Sequence, residues 1–257
     1  MATDIRRALK KFIPHLLKAR EENLNEAQTA QGLVKMFQDV FGYDMLSEIS
    51  REMQVKGKFV DISLKIEGVV RLLIEVKDAA TVLRDRHIDQ AKGYAAEGNI
   101  RWVLLTNGVD WILFHLTFEE GIEYVKVFTV DLAGPDIDKA ADQLGLLHRQ
   151  SIKRGELEDY WLQHAALTPA AIGKALFHED VLRRLRRELR KNEDILIDEE
   201  DLANAVHSMF TPEVREQIGP MKIRRKRSPK PAKAEDKVPE AQAPVQPPTT
   251  EAPTKPD

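Results

Sequence analysis

The stretch from Phe59 to Lys77 constrains this chain more than any other, because its alternation of side chains fixes both a local fold and a register. Phe59 to Ile66 alternates polar with apolar residues, and Val70 to Lys77 resumes the pattern after Glu67-Gly68-Val69. Two strands joined by a turn are expected. A two-residue loop without irregularity would set Asp61 opposite Ile74 and send Glu75 to the other face. A three-residue loop, or one bulge, instead sets Asp61 opposite Glu75 and Phe59 opposite Lys77. It also pairs Val60, Ile62, Leu64 and Ile66 with Val76, Ile74, Leu72 and Val70, so that one face is wholly apolar. Burial of that face selects the register in which the carboxylates meet.

Two carboxylates about 4 Å apart repel by roughly 4 kcal/mol at an effective dielectric near 20, so they need a proton or a cation. A divalent ion with oxygen preference, Mg²⁺ with Mn²⁺ as its substitute, suits the pair. Lys77 follows Glu75 on the same face. It would orient or deprotonate a water and offset negative charge. This is the equipment of a metal-dependent phosphodiesterase, although Glu-x-Lys is also common on ordinary solvent-facing strands.

The flanking segments carry further pattern. Asn25 to Thr29 opens a helix whose apolar positions Leu33, Val34, Met36, Phe37, Val40 and Phe41 recur at helical spacing up to Gly42. Downstream, Gln90 and Tyr94 stand four apart on a short helix and share a face. The run from Arg101 to Trp111 reads as strand, Asn-Gly turn and strand.

With these motifs in this order, residues of about 20 to 130 resemble the N-terminal nuclease domain of type I restriction-enzyme R subunits, a branch of the PD-(D/E)xK superfamily. The resemblance implies an α/β core with a mixed central sheet. It implies a metal site made of Glu26 from the first core helix, Asp61 from one strand, and Glu75 and Lys77 from the next. It also implies substrate contact by Gln90 and Tyr94. Val60 stands where the superfamily's name has Pro. Glu22, one turn before Glu26, competes for the helical position, and Glu26 would also serve as favourable charge in a first helical turn. Tyr94 would equally suit an amphipathic helix facing the core.

Organisation follows the same signals. A helix from about Asp4 to Arg20 precedes the Glu26 helix. Strands are expected near 48–55, 59–66, 70–77, 101–105, 111–116 and 123–130, with a helix from about Arg84 to Glu97. A restriction-endonuclease-like domain over 1–133 is followed by a helical extension over 134–220, with helices near 137–147, 156–163, 169–191 and 199–210. From about Met221 the chain gains Pro, Lys and Ala, and a disordered tail, basic and then Pro-rich, is expected over 221–257.

Charge sets a limit on nucleic-acid binding. The net charge is −3, but the tail from residue 222 holds nine basic and five acidic residues, leaving thirty basic against thirty-seven acidic in the body. Such a body attracts DNA only where basic residues are concentrated. Arg84, Arg86 and Lys92, bordering the Gln90 helix, are candidate phosphate contacts. The run Arg183, Arg184, Arg186, Arg187, Arg190 and Lys191 surrounds an apolar stripe and reads more readily as a solvated helix face. Lys222, Arg224, Arg225, Lys226 and Arg227 form a basic arm for nucleic acid or an acidic protein.

There is no cysteine, so neither disulfides nor cysteine-ligated zinc enter. The seven histidines show no paired metal spacing and read as structural or surface residues. No apolar run spans a bilayer and the first residues are too charged for a signal peptide, so the cytoplasm is expected. A P-loop is missing, hence no ATP site and no motor of the R-subunit kind. The functional expectation is a stand-alone Mg²⁺-dependent DNA endonuclease in restriction or defence. Its alternative is a non-catalytic regulatory protein that keeps the fold and binds DNA or protein. Cutting both strands with one site needs two subunits or two nicks, which makes a homodimer or a partner protein plausible.

Overall fold

A computed structural model describes residues 2–55, 58–119, 121–193 and 196–220. The tail and its basic arm lie outside the described residues. Two helices lead, α1 (Ala2–Glu21) and α2 (Glu26–Asp39), followed by β1 (Ile49–Val55), β2 (Lys58–Ile66) and β3 (Val69–Val76). A 3₁₀ turn over Asp85–Ile88 runs into α3 (Asp89–Gly98), and β4 (Trp102–Thr106), β5 (Asp110–Thr117) and β6 (Glu123–Asp131) complete one sheet. The six strands lie in chain order, with β3 and β4 parallel and every other neighbour antiparallel. The parallel step is the one that needs a crossover, and α3 supplies it.

The β2–β3 register pairs Ile62 with Ile74 and Leu64 with Leu72, then slips between Leu64 and Lys65 so that Lys65 meets Val70 and Ile66 meets Val69. One bulge, not a three-residue loop, produces the expected alignment. The turn itself is two residues, Glu67 and Gly68, with φ of 53° and 79°. Positive φ at both centres matches the right-handed twist of a tight hairpin, and Lys153 pairs with Glu67 at 2.6 Å. The expected pairing of Ile66 with Val70 therefore gives way to Val69, because the bulge absorbs the extra residue earlier.

Both faces of the sheet are covered. On one, Ile62, Leu64, Leu72, Ile74 and Val76 join Leu33 and Phe37 of α2, Phe41 just beyond its end, and Leu9 of α1 in the larger core. On the other, Leu73, Val103, Leu105 and Phe114 pack with Ala91, Tyr94 and Ala95 of α3. Val60, expected with Ile62, instead joins this second group. The face carrying Glu75 is thus buried rather than wet.

After the sheet come α4 (Ile137–Gly145), α5 (Arg149–Lys153), α6 (Glu156–Ala166), α7 (Pro169–Leu176), α8 (Glu179–Glu193), α9 (Glu199–Ser208) and α10 (Pro212–Ile218). The single helix expected over 169–191 is two, with Phe177 and His178 closing the first by short-range bonds to Gly173 and Ala175. Neither α5 nor α10 is among the expected helices, although Thr211 before Pro212 is a helix-start pattern. α6 docks on the sheet, with Trp161 stacked 4.2 Å from His115 and Trp102 donating to Glu158 at 3.0 Å. Burial pushes the His115 pKa down to about 4, so the stacked imidazole is neutral. Arg149 from α5 holds the buried Glu48 at 2.7 Å. Leu182, Leu202, Ala203 and Val206 form a separate small core for α8 and α9. On α8, Arg183 pairs with Glu179 and Asp180, Arg184 with Glu188, and Arg186 with Glu199, which makes much of that basic run a self-neutralised face. Among the described residues no helix is long and apolar enough to cross a membrane.

Candidate functional site

The β2–β3 pairing ends at Ile62 and Ile74, and the strands part where the acidic residues stand. There Val76 donates its backbone N–H to Asp61 Oδ2 at 2.7 Å, so a side chain replaces the ladder bond and fixes the carboxylate. Glu75, one residue before, is 5 % exposed. Its Oε1 accepts from Lys77 Nζ at 2.6 Å, while Oε2 is buried with no hydrogen-bond partner. Lys77 also reaches Glu26 Oε2 at 3.3 Å. All four residues of the expected catalytic set are therefore brought to one place, three from a single hairpin and one from the start of α2.

Each position has a local cause. Glu26 is the first residue of α2, whose cap is reciprocal: Asn25 accepts from the Gln28 N–H at 3.0 Å and Gln28 accepts from the Asn25 N–H at 3.2 Å. Glu22, the competing carboxylate, pairs with Lys18 at 3.6 Å. Lys77 is aligned by its own N–H, which donates to Thr106 in β4 at 2.9 Å. The loop after it is tied down twice, by Ala79 N–H to the Leu24 carbonyl and by Asn107 Nδ2 to the Thr81 carbonyl at 2.9 Å.

Asn107 is the centre of that anchorage. It is 2 % exposed, accepts from the N–H groups of Val109 and Asp110 and from Arg20, and donates to Thr81 and Asp110. Arg20, at the end of α1, also pairs with Asp110 at 2.5 Å and bonds the Ala79 carbonyl. The expected turn at Thr106-Asn107-Gly108 is present, with Gly108 at φ 91°, but its asparagine also fastens the segments flanking Glu26 and Lys77. Sequence reasoning missed Arg20 and Asp110, whose partners lie some 90 residues away along the chain.

Electrostatics follow from burial. Desolvation pushes the Glu75 pKa up to about 7, opposed by the Lys77 hydrogen bond and reinforced by the charges of Asp61 and Glu26. For Lys77, burial disfavours the ammonium, yet the bond to Glu75 and the charges of Glu75, Glu26 and Asp61 outweigh it and raise the pKa. Lys77 is thus held as a cation. Among the described residues no group of three or more His, Asp or Glu side chains is placed to hold a metal ion unaided. Lys77 stands between Glu75 and Glu26, serving as an internal counter-ion. The unpaired, buried Oε2 of Glu75 beside Asp61 nevertheless fits a hard cation, which takes oxygen ligands and keeps several waters.

The other expected contacts divide. Gln90 is exposed and donates to Tyr94 Oη at 3.3 Å, but the Tyr94 ring is 2 % exposed and belongs to the core. Arg84 and Arg86 are exposed at the 3₁₀ turn. Lys92 is paired with Asp89 at 2.6 Å and lies 4.3 Å over the Tyr124 ring of β6, three strands away from β3. His87, next after Arg86, accepts from the Arg84 N–H, and its pKa is lowered by burial and by Arg86 and Lys77. Its sequence context alone gives no sign of this place near the site.

Residues 25–128 match the family model of the type I restriction enzyme R protein N terminus. The likeness suggested by the motifs holds over this segment. The R-protein match runs from the cap of α2 into β6 and includes Glu26, Asp61, Glu75, Lys77, Gln90 and Tyr94. All of α1 and the helices from α4 onward lie outside it. No curated protein and no solved structure matches the chain.

Proposed function

We propose that the chain is a metal-dependent DNA endonuclease of the PD-(D/E)xK type, acting in the cytoplasm in restriction or defence against foreign DNA. The observation that carries this reading is the buried, unpaired Glu75 Oε2 beside Asp61 with Lys77 Nζ 2.6 Å from the other oxygen. A Mg²⁺ ion held by Asp61 and Glu75 would supply Lewis-acid stabilisation of the scissile phosphate and an activated water. Lys77, kept protonated by its three carboxylate neighbours, donates to and neutralises the developing phosphoryl charge instead of acting as a base. Glu26 restrains the Lys77 ammonium in position. Gln90 presents an exposed amide to the DNA backbone, with Tyr94 orienting it from the core. Arg84 and Arg86 add phosphate contacts, whereas the neutralised Lys92 does not.

A second reading, a DNA- or protein-binding regulator without cleavage, is favoured by one feature: Lys77 already satisfies the charge that a metal would otherwise have to balance. Cleavage of supercoiled plasmid in Mg²⁺, Mn²⁺ or EDTA separates the two. Metal-dependent nicking that disappears in Asp61→Ala and Lys77→Ala is expected. Equal cutting by wild type and both variants, or none by wild type, selects the regulator.

A further inference from the structure

A groove of about 1020 Å³ runs between α1 and α2 and ends against Leu24, Asn107 and Gly108, the residues that flank the candidate site. Its size is at the upper end of the roughly 300–1,000 Å³ typical of ligand sites. The floor is apolar, built from Phe12, Leu16 and Met45, with Met45 half exposed. Exposed Lys11, His15 and Arg51 stand around it, and Gln28, Gln31 and Gln38 offer amides. The carboxylate in its lining, Asp39, is taken by Lys35 at 2.8 Å.

Gly32 supplies a second, independent observation. It sits in the middle of α2, where glycine is the poorest helix former after proline. Its φ is not positive, and no atom lies within 4 Å of where a Cβ would stand, so neither backbone conformation nor packing calls for glycine. The missing side chain opens onto the groove. Without a side chain, the helix backbone at Gly32 can be approached closely from the groove, at a cost in helix stability.

We propose that this groove seats a single-stranded segment of nucleic acid leading to the candidate site. An apolar floor with cations and amides around it suits unstacked bases and their phosphates, whereas a duplex hides its bases and presents phosphates alone. The reading rests on the nucleic-acid function proposed above but is tested without cleavage. The full chain is titrated in EDTA against a short fluorescent single-stranded oligonucleotide and the matching duplex, using wild type, Gly32→Ala, Gly32→Leu and Lys11→Ala/Arg51→Ala. Gly32→Ala raises the urea midpoint, which shows that the fold does not need the glycine. Gly32→Leu, folded by the same criterion, weakens single-strand binding about tenfold and leaves the duplex unchanged. The double variant makes the salt dependence shallower by about 0.7 in log–log slope for each phosphate it no longer neutralises. Single-strand binding by Gly32→Leu within twofold of wild type overturns the proposal. So does an equal weakening for the duplex, or displacement of the oligonucleotide by an acidic peptide as readily as by unlabelled strand. Plasmid cleavage can be absent while this groove still binds, so failure of one reading does not imply failure of the other.

Discussion

Replacing Glu75 by Gln isolates the cost of keeping a charge in the buried site. The wild-type carboxyl titrates near 7 in the folded protein against an ordinary value of 4.5, with burial as the main cause. The folded state therefore binds this proton more tightly than the unfolded state, and the stability it contributes is full below about pH 4.5 and lost as pH rises through 7. The full span corresponds to about 3 kcal/mol, most of it falling between pH 5 and pH 8. Glu75→Gln has no such titration. Urea denaturation in EDTA at the two pH values, compared between wild type and variant, cancels the titrating groups that do not touch Glu75, and Lys77 stays protonated across this range in the wild type. Wild type is expected to lose about 2–3 kcal/mol more than the variant on going to pH 8. Parallel profiles, within about 0.5 kcal/mol, would falsify the assignment of the raised pKa to a desolvated Glu75. Adding Mg²⁺ at about a hundredfold over its Kd should then stabilise wild type at pH 8 by roughly 2.7 kcal/mol, with a smaller gain at pH 5, where the ligand is protonated, and none in the variant.

Further predictions concern the frame around the site. Asn107→Ala leaves the Thr81 carbonyl and two turn N–H groups without their partner and should lower stability by about 2–4 kcal/mol in urea denaturation. A loss below about 0.5 kcal/mol would mean that water substitutes for the amide. Tyr94→Phe keeps the buried ring and removes only the bond from Gln90, so thermal stability should fall by no more than about 1 kcal/mol while the rate of metal-dependent cleavage drops. An unchanged rate would remove Tyr94 from the site. Arg149→Met strands the buried Glu48 carboxylate and should cost about 3–5 kcal/mol in urea denaturation at neutral pH; a loss below about 1 kcal/mol would mean that solvent reaches the carboxylate.

Much of the architecture is legible in the sequence because burial has a period. The six strands and the α1 and α2 helices fall close to their expected bounds, and the β2–β3 register is recoverable since only one alignment buries Ile62, Leu64, Leu72 and Ile74 together. The bulge position is not, because both a longer loop and a slipped pair give the same downstream register. The break between α7 and α8 is hidden by an unbroken apolar periodicity with neither glycine nor proline at Phe177-His178. At the site, the motif residues announce themselves by spacing. Arg20 and Asp110 do not, since their meaning lies in contacts between distant segments, and Tyr94 shows its helical face but not which side of that face is core. Lys92 reads as a free cation because sequence cannot reveal Tyr124 beneath it.

The two-residue turn at Glu67-Gly68 has a bearing on the order of events during folding. Asp61 and Glu75 are joined by a loop of local chain, so the hairpin that unites them can close on the microsecond scale, ahead of the crossover that lays β4 beside β3. A hairpin that closes first would bring the like charges together before α2 delivers Glu26 and before α3 covers the face. Lys77, carried on the same hairpin, is the cation that arrives with them. A lysine encoded two residues from the glutamate thus lets the most repulsive part of the molecule form first, and its removal should be felt in the refolding rate more than in the rate of unfolding.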